Sequence, residues 1–287
     1  MTLPPDFAEA IDRARPRLGR LASSVRFFST IGSTNDAASA LAGGGGAEGA
    51  VVIADAQTMG RGRRGRRWHS PPGSGLYVAL VLTPARAKVA PTRATGLVTL
   101  AAGVALAEAI ETATGLRPDI KWPNDLLAGP RKVAGILAEA VGGPSTAIES
   151  VVLGYGINVG PMAFDPDLAD RATSLESELC RPIDRAMLCA ETLAACATRY
   201  DDLLEGRFDA ILDAWRDRAP ASRGAAVAWD TPAGQQSGIT AGIDDDGALL
   251  VRAGDRVERI VGGEISWLRS SSSQFSAFSF QLRGSSE

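Results

Sequence analysis

Apolar positions recur at helical spacing in some stretches and at strand spacing in others, which predicts a mixed α and β fold. From Asp6 to about Leu21, the residues Phe7, Ile11 and Leu18 fall on one face of a short helix. Ser24 to Ser29 reads as a strand. Ser33-Thr34-Asn35-Asp36 is a run of helix-capping residues before an alanine-rich helix, Ala37 to Ala42, which four glycines then end. Val51 to Ala54 and Gly75 to Thr83 are dense in β-formers. Leu97, Leu100, Val104 and Ile110 mark a helix running to Thr114 and stopped by Gly115. Asp119 to Lys121, Lys132 to Glu139 and Glu149 to Gly154 predict three further strands. Arg185 to Leu204 and Phe208 to Arg218 are amphipathic helices, with Leu188, Leu193, Tyr200, Leu203, Ile211, Leu212 and Trp215 as core candidates.

The pattern changes after Pro220. Residues 224–268 carry short alternating runs, and Asp244-Asp245-Asp246-Gly247 supplies a hairpin turn between two of them. The expected organisation is an α+β domain over residues 1–220, in which helices cover a mixed sheet. A small SH3-like β-barrel over residues 221–269 and a poorly ordered serine-rich tail over residues 270–287 follow it.

Composition narrows the chemistry. The 287 residues hold 45% hydrophobic and 22% charged side chains, the balance of a folded chain. Thirty lysines and arginines against 33 aspartates and glutamates leave a formal charge of −3, which gives no reason to expect a dedicated nucleic-acid binder. His69 is the single histidine, so a metal site needing two imidazoles is excluded. The three cysteines Cys180, Cys189 and Cys196 fit reduced positions in a cytoplasmic protein better than a disulfide framework. The first twenty residues lack the apolar core of a secretory signal. The longest apolar stretch, Leu97 to Ala107, is broken by Glu108 and reads as too short to cross a bilayer.

Three segments carry chemistry. In Gly60-Arg61-Gly62-Arg63-Arg64-Gly65-Arg66-Arg67-Trp68, arginines alternate with glycines directly after a strand. Glycines let backbone amides approach an anion, arginine forks grip phosphate or carboxylate, and Trp68 offers a flat face to an aromatic ring. The same segment also reads as an exposed loop touching RNA nonspecifically. Its spacing is not that of a phosphate-binding loop ending in Gly-Lys-Ser/Thr. Lys121-Trp122-Pro123-Asn124-Asp125 places a cation and two oxygen donors together, and Leu153-Gly154-Tyr155-Gly156-Ile157-Asn158 puts two glycines and an asparagine at a strand end. Each of these, taken alone, is an ordinary turn.

Their joint order resembles the biotin–protein ligase family: Ser33-Thr34-Asn35, the arginine–glycine segment, Lys121 to Leu127, Lys132 to Glu139 and Gly154 to Val159. The C-terminal Gly262-Gly263-Glu264-Ile265 is similar as well. The resemblance implies an enzyme using ATP and Mg²⁺ to convert biotin to biotinyl-5'-AMP, then passing the biotinyl group to a lysine of a carboxylase carrier domain. It implies a biotin-binding set of Ser33, Thr34, Asn35, Gln57, Arg61, Gly62, Arg63, Lys121 and Gly154. Around ATP or the adenylate it implies Arg61, Arg63, Trp68, Asn124, Lys132 and Asn158, with Lys121 and Arg63 as catalytic residues. Asn124 and Asp125 are candidates for magnesium. A lipoate or octanoate ligase of the same fold is the neighbouring alternative. Roughly 24 residues precede the first strand, fewer than the ~60 of a helix-turn-helix domain, so DNA binding is not expected. No membrane association is expected either, and both a monomer and a homodimer remain open.

Overall fold

The computed structural model describes residues 2–43, 47–142, 148–232, 234–263 and 265–268. The chain forms two compact units, Met1–Arg218 and Ala219–Glu287. The serine-rich tail and Glu264 lie outside the described residues.

In the first unit, a seven-stranded sheet has the order β1-β2-β3-β7-β6-β5-β4. Its strands are β1 (Ser24–Phe28), β2 (Ala50–Ala54), β3 (Gly75–Leu82), β4 (Asp119–Lys121), β5 (Asp125–Ala128), β6 (Arg131–Gly142) and β7 (Ile148–Asn158). Only β1 and β2 run parallel; the other neighbours are antiparallel.

Alternation along the central strands gives the sheet two different faces. One face of β3 and β7 carries Leu76, Val78 and Leu80, with Leu153, Tyr155 and Ile157, all buried. Helices α3 (Pro91–Thr114) and α6 (Arg185–Glu205) cover it, and the Tyr155 hydroxyl meets Thr192 Oγ1 of α6 at 2.8 Å. Helices α1 (Pro5–Ala14) and α7 (Phe208–Arg218) pack outside, on α6 and α3. The opposite face is covered at one end by α2 (Thr34–Ala42), whose Ala38 packs on Ala50, Val52, Ala79, Val81 and Val152. The rest of that face is left for the loop between β2 and β3. Two short helices, α4 (Pro166–Ala169) and α5 (Leu175–Leu179), lie in the connection from β7 to α6.

Several elements differ from the sequence pattern. Helix α1 stops at Ala14 and gives way to a 3₁₀ turn, Arg15–Arg17, because Pro16 has no N–H and its ring clashes with the preceding turn. Helix α3 begins at Pro91, six residues before its apolar period, with proline in its favoured first position. It is long and apolar enough to cross a membrane by composition, which corrects the shorter stretch read from sequence. Yet 72% of its most apolar window is buried inside the protein, so it is a core helix.

Trp215 in α7 is fully buried at 0% exposure. Removing an aromatic side chain of this size leaves a cavity that the surrounding helices only partly close. Trp215→Ala is therefore expected to destabilise the protein by about 3–5 kcal/mol, read as a lower urea midpoint at unchanged slope.

In the second unit, a five-stranded sheet has the order β11-β10-β9-β8-β12, with every pair antiparallel. The strands are β8 (Arg223–Thr231), β9 (Gly234–Ile243), β10 (Leu249–Ala253), β11 (Arg256–Ile260) and β12 (Ile265–Trp267). Val227, Leu249 and Val251 are buried at its centre. The turn expected at Asp244–Gly247 joins β9 to β10. There Asp244 Oδ1 accepts from the Asp246 and Ala248 amides, and its other oxygen meets Arg259.

Candidate active site

The site is a row of residues crossing the open face of the large sheet. Register pairs Ala54 with Tyr77, Tyr77 with Gly156, Gly156 with Gly135, Gly135 with Asp125, and Asp125 with Lys121. Directly paired residues share a face, so Lys121, Asp125 and the two glycines stand in one line. The next row pairs Leu137, Gly154 and Ala79. Along β7 the face therefore reads Val152, Gly154, Gly156 and Asn158, and its middle is bare backbone.

The bare backbone is occupied from above. A Cβ on Gly156 would lie within 2.5 Å of Trp68 Nε1, and one on Gly135 would come to 2.9 Å from the Trp68 ring. A Cβ on Gly154 would strike Asn35 Oδ1. Only glycine lets these groups sit directly on the strands. Trp68 Nε1 is buried there with no hydrogen-bond partner among the described residues, a donor lying against the floor of the site.

The arginine–glycine segment is a small hairpin. The Trp68 amide donates to the Gly60 carbonyl at 2.8 Å, Arg61 bridges Arg67, and the Gly62 amide donates to Arg66 O at 2.7 Å. Its tip turns at Arg64 and Gly65, both in the left-handed region with φ of 57° and 73°. The base is fixed by Gln57, whose amide donates to Ser70 O, and by the Met59 amide, which donates to Gly32 O at 2.8 Å. From the tip, Arg63 Nη1 reaches Asn124 Oδ1 at 3.4 Å, so the hairpin spans the glycine floor to the turn joining β4 and β5.

Cations collect at that turn. Lys132 Nζ pairs with Asp125 Oδ1 at 2.5 Å and stands 5.2 Å from the Trp68 ring centroid. Lys121 is half-buried. Burial lowers its pKa from the ordinary lysine value against the opposing pull of Asp125, and Arg171 and Lys132 lower it further. Burial also lowers the Arg63 pKa, with Arg64 adding to the effect. Asn124 is held by its Nδ2, which donates to Ile136 O at 2.7 Å.

The other end of the floor carries amides and hydroxyls, bordered by one arginine and two carboxylates. Ser33 occupies the N-cap position of α2 without a side-chain capping bond, and Gln57 Oε1 accepts from the Thr34 amide at 2.8 Å and from Thr34 Oγ1 at 3.1 Å. Gln57 Nε2 donates to Ser70 Oγ at 3.0 Å. Asn35 Nδ2 donates to Glu139 Oε2 at 2.6 Å, and Arg61 Nη1 meets Asp36 Oδ1 at 2.5 Å. Ser33, Thr34 and Asn35 are all buried, an unusual fate for polar side chains at a helix start.

Most of the residues singled out in the sequence thus converge on one face. Asn158 lies one step further along β7, buried, and its Nδ2 donates to Thr173 O at 2.9 Å, tying down the segment after the strand. Asn124 and Asp125, the magnesium candidates, both already have protein partners. Asp125 is paired with Lys132, Asn124 with Arg63 and Ile136, and among the described residues no group of three His, Cys, Asp or Glu could hold a metal ion. Sequence reading missed Gly135, Asp36 and Glu139. The glycines at 154 and 156, one residue apart, were the available signal of a bare strand face. The two carboxylates had none, since their partner is remote in sequence.

An arginine-rich hairpin thus lies over a bare sheet face, with lysines at one end and amides at the other, the arrangement of a ligand-binding cleft. The chain matches the Biotin/lipoate A/B protein ligase family over residues 29–158 and the Biotin protein ligase C terminal domain over residues 227–268. It is 34% identical over 245 residues to the biotin--[acetyl-CoA-carboxylase] ligase of Mycobacterium tuberculosis, covering 83% of this chain and 86% of that one. It is 37% identical over 241 residues to the bifunctional ligase/repressor BirA of Bacillus subtilis, covering 83% of this chain and 72% of that protein. Its fold is similar to the biotin protein ligase from Aquifex aeolicus in complex with biotin and ATP, with a TM-score of 0.72 and 26% identity, covering 86% of this chain and 100% of that one. The chain belongs to the biotin protein ligase family.

Proposed function

We propose that the protein activates biotin with ATP as biotinyl-5'-AMP and transfers the biotinyl group to a lysine of the carrier domain of a biotin-dependent carboxylase. The observation that carries this reading is the glycine floor of Gly135, Gly154 and Gly156, with amides at one end and lysines at the other. Biotin has the same polarity: a ureido ring needing donors and acceptors, an apolar chain, and a carboxylate.

In this reading Ser33, Thr34, Asn35 and Gln57 receive the ureido ring. The valeryl chain crosses the floor at Gly154 beneath Arg61 and Gly62, and the carboxylate faces Lys121. A biotin carboxylate oxygen attacks the α-phosphorus, the new C–O–P bond forms, and the bond to the β-phosphate breaks, so pyrophosphate leaves. Two anions approach each other in this step, and Lys121 with Arg63 offsets the repulsion. Trp68 and Lys132 flank the adenine side, and Asn124 and Asn158 border it. Asn124 and Asp125 are the residues that would border a magnesium ion arriving with the triphosphate, and such an ion would offset phosphate charge there. In the second step a lysine amine of the carrier attacks the acyl carbon. The amide forms, AMP leaves, and the amine's proton passes to solvent.

The mixed anhydride hydrolyses in water, so a hairpin that covers it protects the product. The repressor activity in the name of the Bacillus subtilis relative is that protein's. The three cysteines, all free, support a cytoplasmic location for this enzyme. Biotin-dependent release of pyrophosphate from ATP tests the first step, with lipoate as the comparison acid.

Gly156→Val tests the floor. Its side chain would push Trp68 off β7, and overpacking of this kind costs about 1–3 kcal/mol, so ATP affinity is expected to fall about ten- to a hundredfold. The check is calorimetric titration of a variant whose circular dichroism matches the parent.

A further inference from the structure

The arginine hairpin is held down by two acidic side chains from opposite banks of the site. Arg61 Nη1 pairs with Asp36 Oδ1 of α2 at 2.5 Å, and Arg61 Nη2 pairs with Glu139 Oε2 of β6 at 3.2 Å. Glu139 Oε2 also accepts from Asn35 Nδ2 at 2.6 Å. That bond turns the Asn35 amide oxygen toward Gly154, where a Cβ would strike it. One carboxylate thus ties the hairpin to the floor residue and fixes which atom that residue presents. A further side-chain tie across the floor, Arg63 to Asn124, is long at 3.4 Å.

We propose that Asp36 and Glu139 are positioning residues that latch the hairpin through Arg61, so that keeping the acyl-adenylate in the site depends on these two ion pairs. The proposal rests on the ligase reading for its substrate and on the ion pairs themselves for its mechanics. Opening the hairpin lifts Arg61 away from both carboxylates, returning three charged groups to water. The pairs lie near the surface, with Arg61 39% exposed, Asp36 50% and Glu139 35%, so they are of moderate strength and open to screening by salt. A latch of that strength suits an intermediate that must be kept from water and still be surrendered to an acceptor lysine. The two carboxylates have separable effects. Asp36 pairs with Arg61 of the hairpin, whereas Glu139 also orients Asn35, so its loss reaches biotin recognition as well.

The test uses the full chain with Asp36→Asn, Glu139→Gln and the double substitution, all nearly isosteric. Biotinyl-adenylate is formed in place with ATP and biotin, excess substrate is removed, and its escape into solution is timed. Each substitution is expected to speed escape about two- to fivefold, as for surface ion pairs. Glu139→Gln alone among the single variants should also raise the KM for biotin. Escape from the parent should quicken with added salt, and the double variant should lose that dependence. Without any ligand, trypsin should cut at Arg63 to Arg67 faster in the double variant than in the parent, because cleavage needs the hairpin to lift. Unchanged escape together with unchanged cleavage would overturn the latch. A parent that makes no biotinyl-adenylate would overturn the ligase reading instead, while the cleavage rates would still score the latch. Should Glu139→Gln unfold the chain, the exposed Asp36→Asn substitution carries both measurements.

Discussion

Lys121→Ala should cut biotinyl-adenylate formation about a hundredfold while biotin binding changes only a few-fold. The side chain is half-buried in line with Asp125, Gly135 and Gly156, at the end of the floor where the proposed reading brings the carboxylate and α-phosphate together. A charge-assisted hydrogen bond there is worth about 1.5–3 kcal/mol, and the upper part of that range is a hundredfold in rate. Its effect is concentrated in the transition state, because the repulsion it offsets grows as the two anions close. The lowered pKa adds a sign. The ammonium is lost at a lower pH than in an ordinary lysine, so adenylation should fall earlier on the alkaline side in the parent than in Lys121→Arg, whose guanidinium keeps its charge. Single-turnover pyrophosphate release across pH measures both effects. Near-normal release by Lys121→Ala would remove the residue from the chemistry.

Arg63→Gly should still make the adenylate and then lose it. Arg63 sits at the hairpin tip between Gly62 and Arg64, half-buried, and reaches Asn124 across the floor. Glycine removes that contact and raises the entropy lost when the tip is ordered, next to glycines already present at 62 and 65. Both changes favour the open hairpin. The released mixed anhydride would acylate whatever amines it meets, so labelling of serum albumin in the same tube should rise about tenfold, the scale of one lost charge-assisted bond. Labelling confined to the acceptor domain, slower and with no free adenylate, would make Arg63 a catalytic residue with no retaining role.

The sequence made the helices and outer strands legible wherever apolar residues set the period. Helix α7 follows Ile211, Leu212 and Trp215, and the start of β7 follows Val151 and Leu153. Reading failed where the site needed backbone without side chains. Gly154 and Gly156 carry no β signal, so the end of β7 read as a turn, although the strand continues to Asn158. Asp125 to Ala128 hid behind the turn-like Pro123-Asn124, yet it is β5, which sets Asp125 opposite Lys121. The motif residues Trp68, Lys121 and Lys132 were visible because their types are chemically unusual together. Asp36 and Glu139 were not, because common acidic residues 25 and 78 positions from Arg61 acquire a role only when the sheet brings them to it. The buried Thr34–Gln57 pair is of the same kind, joined by packing rather than by pattern.

The most direct measurement is the intact mass of a biotin carboxyl carrier domain after incubation with this protein, ATP, Mg²⁺ and biotin. The account predicts that one biotinyl group is added to the carrier lysine, that addition requires both ATP and biotin, and that lipoate or octanoate does not replace biotin. A carrier left unmodified with biotin, while lipoate or octanoate is attached to a lipoyl domain under the same conditions, would contradict it.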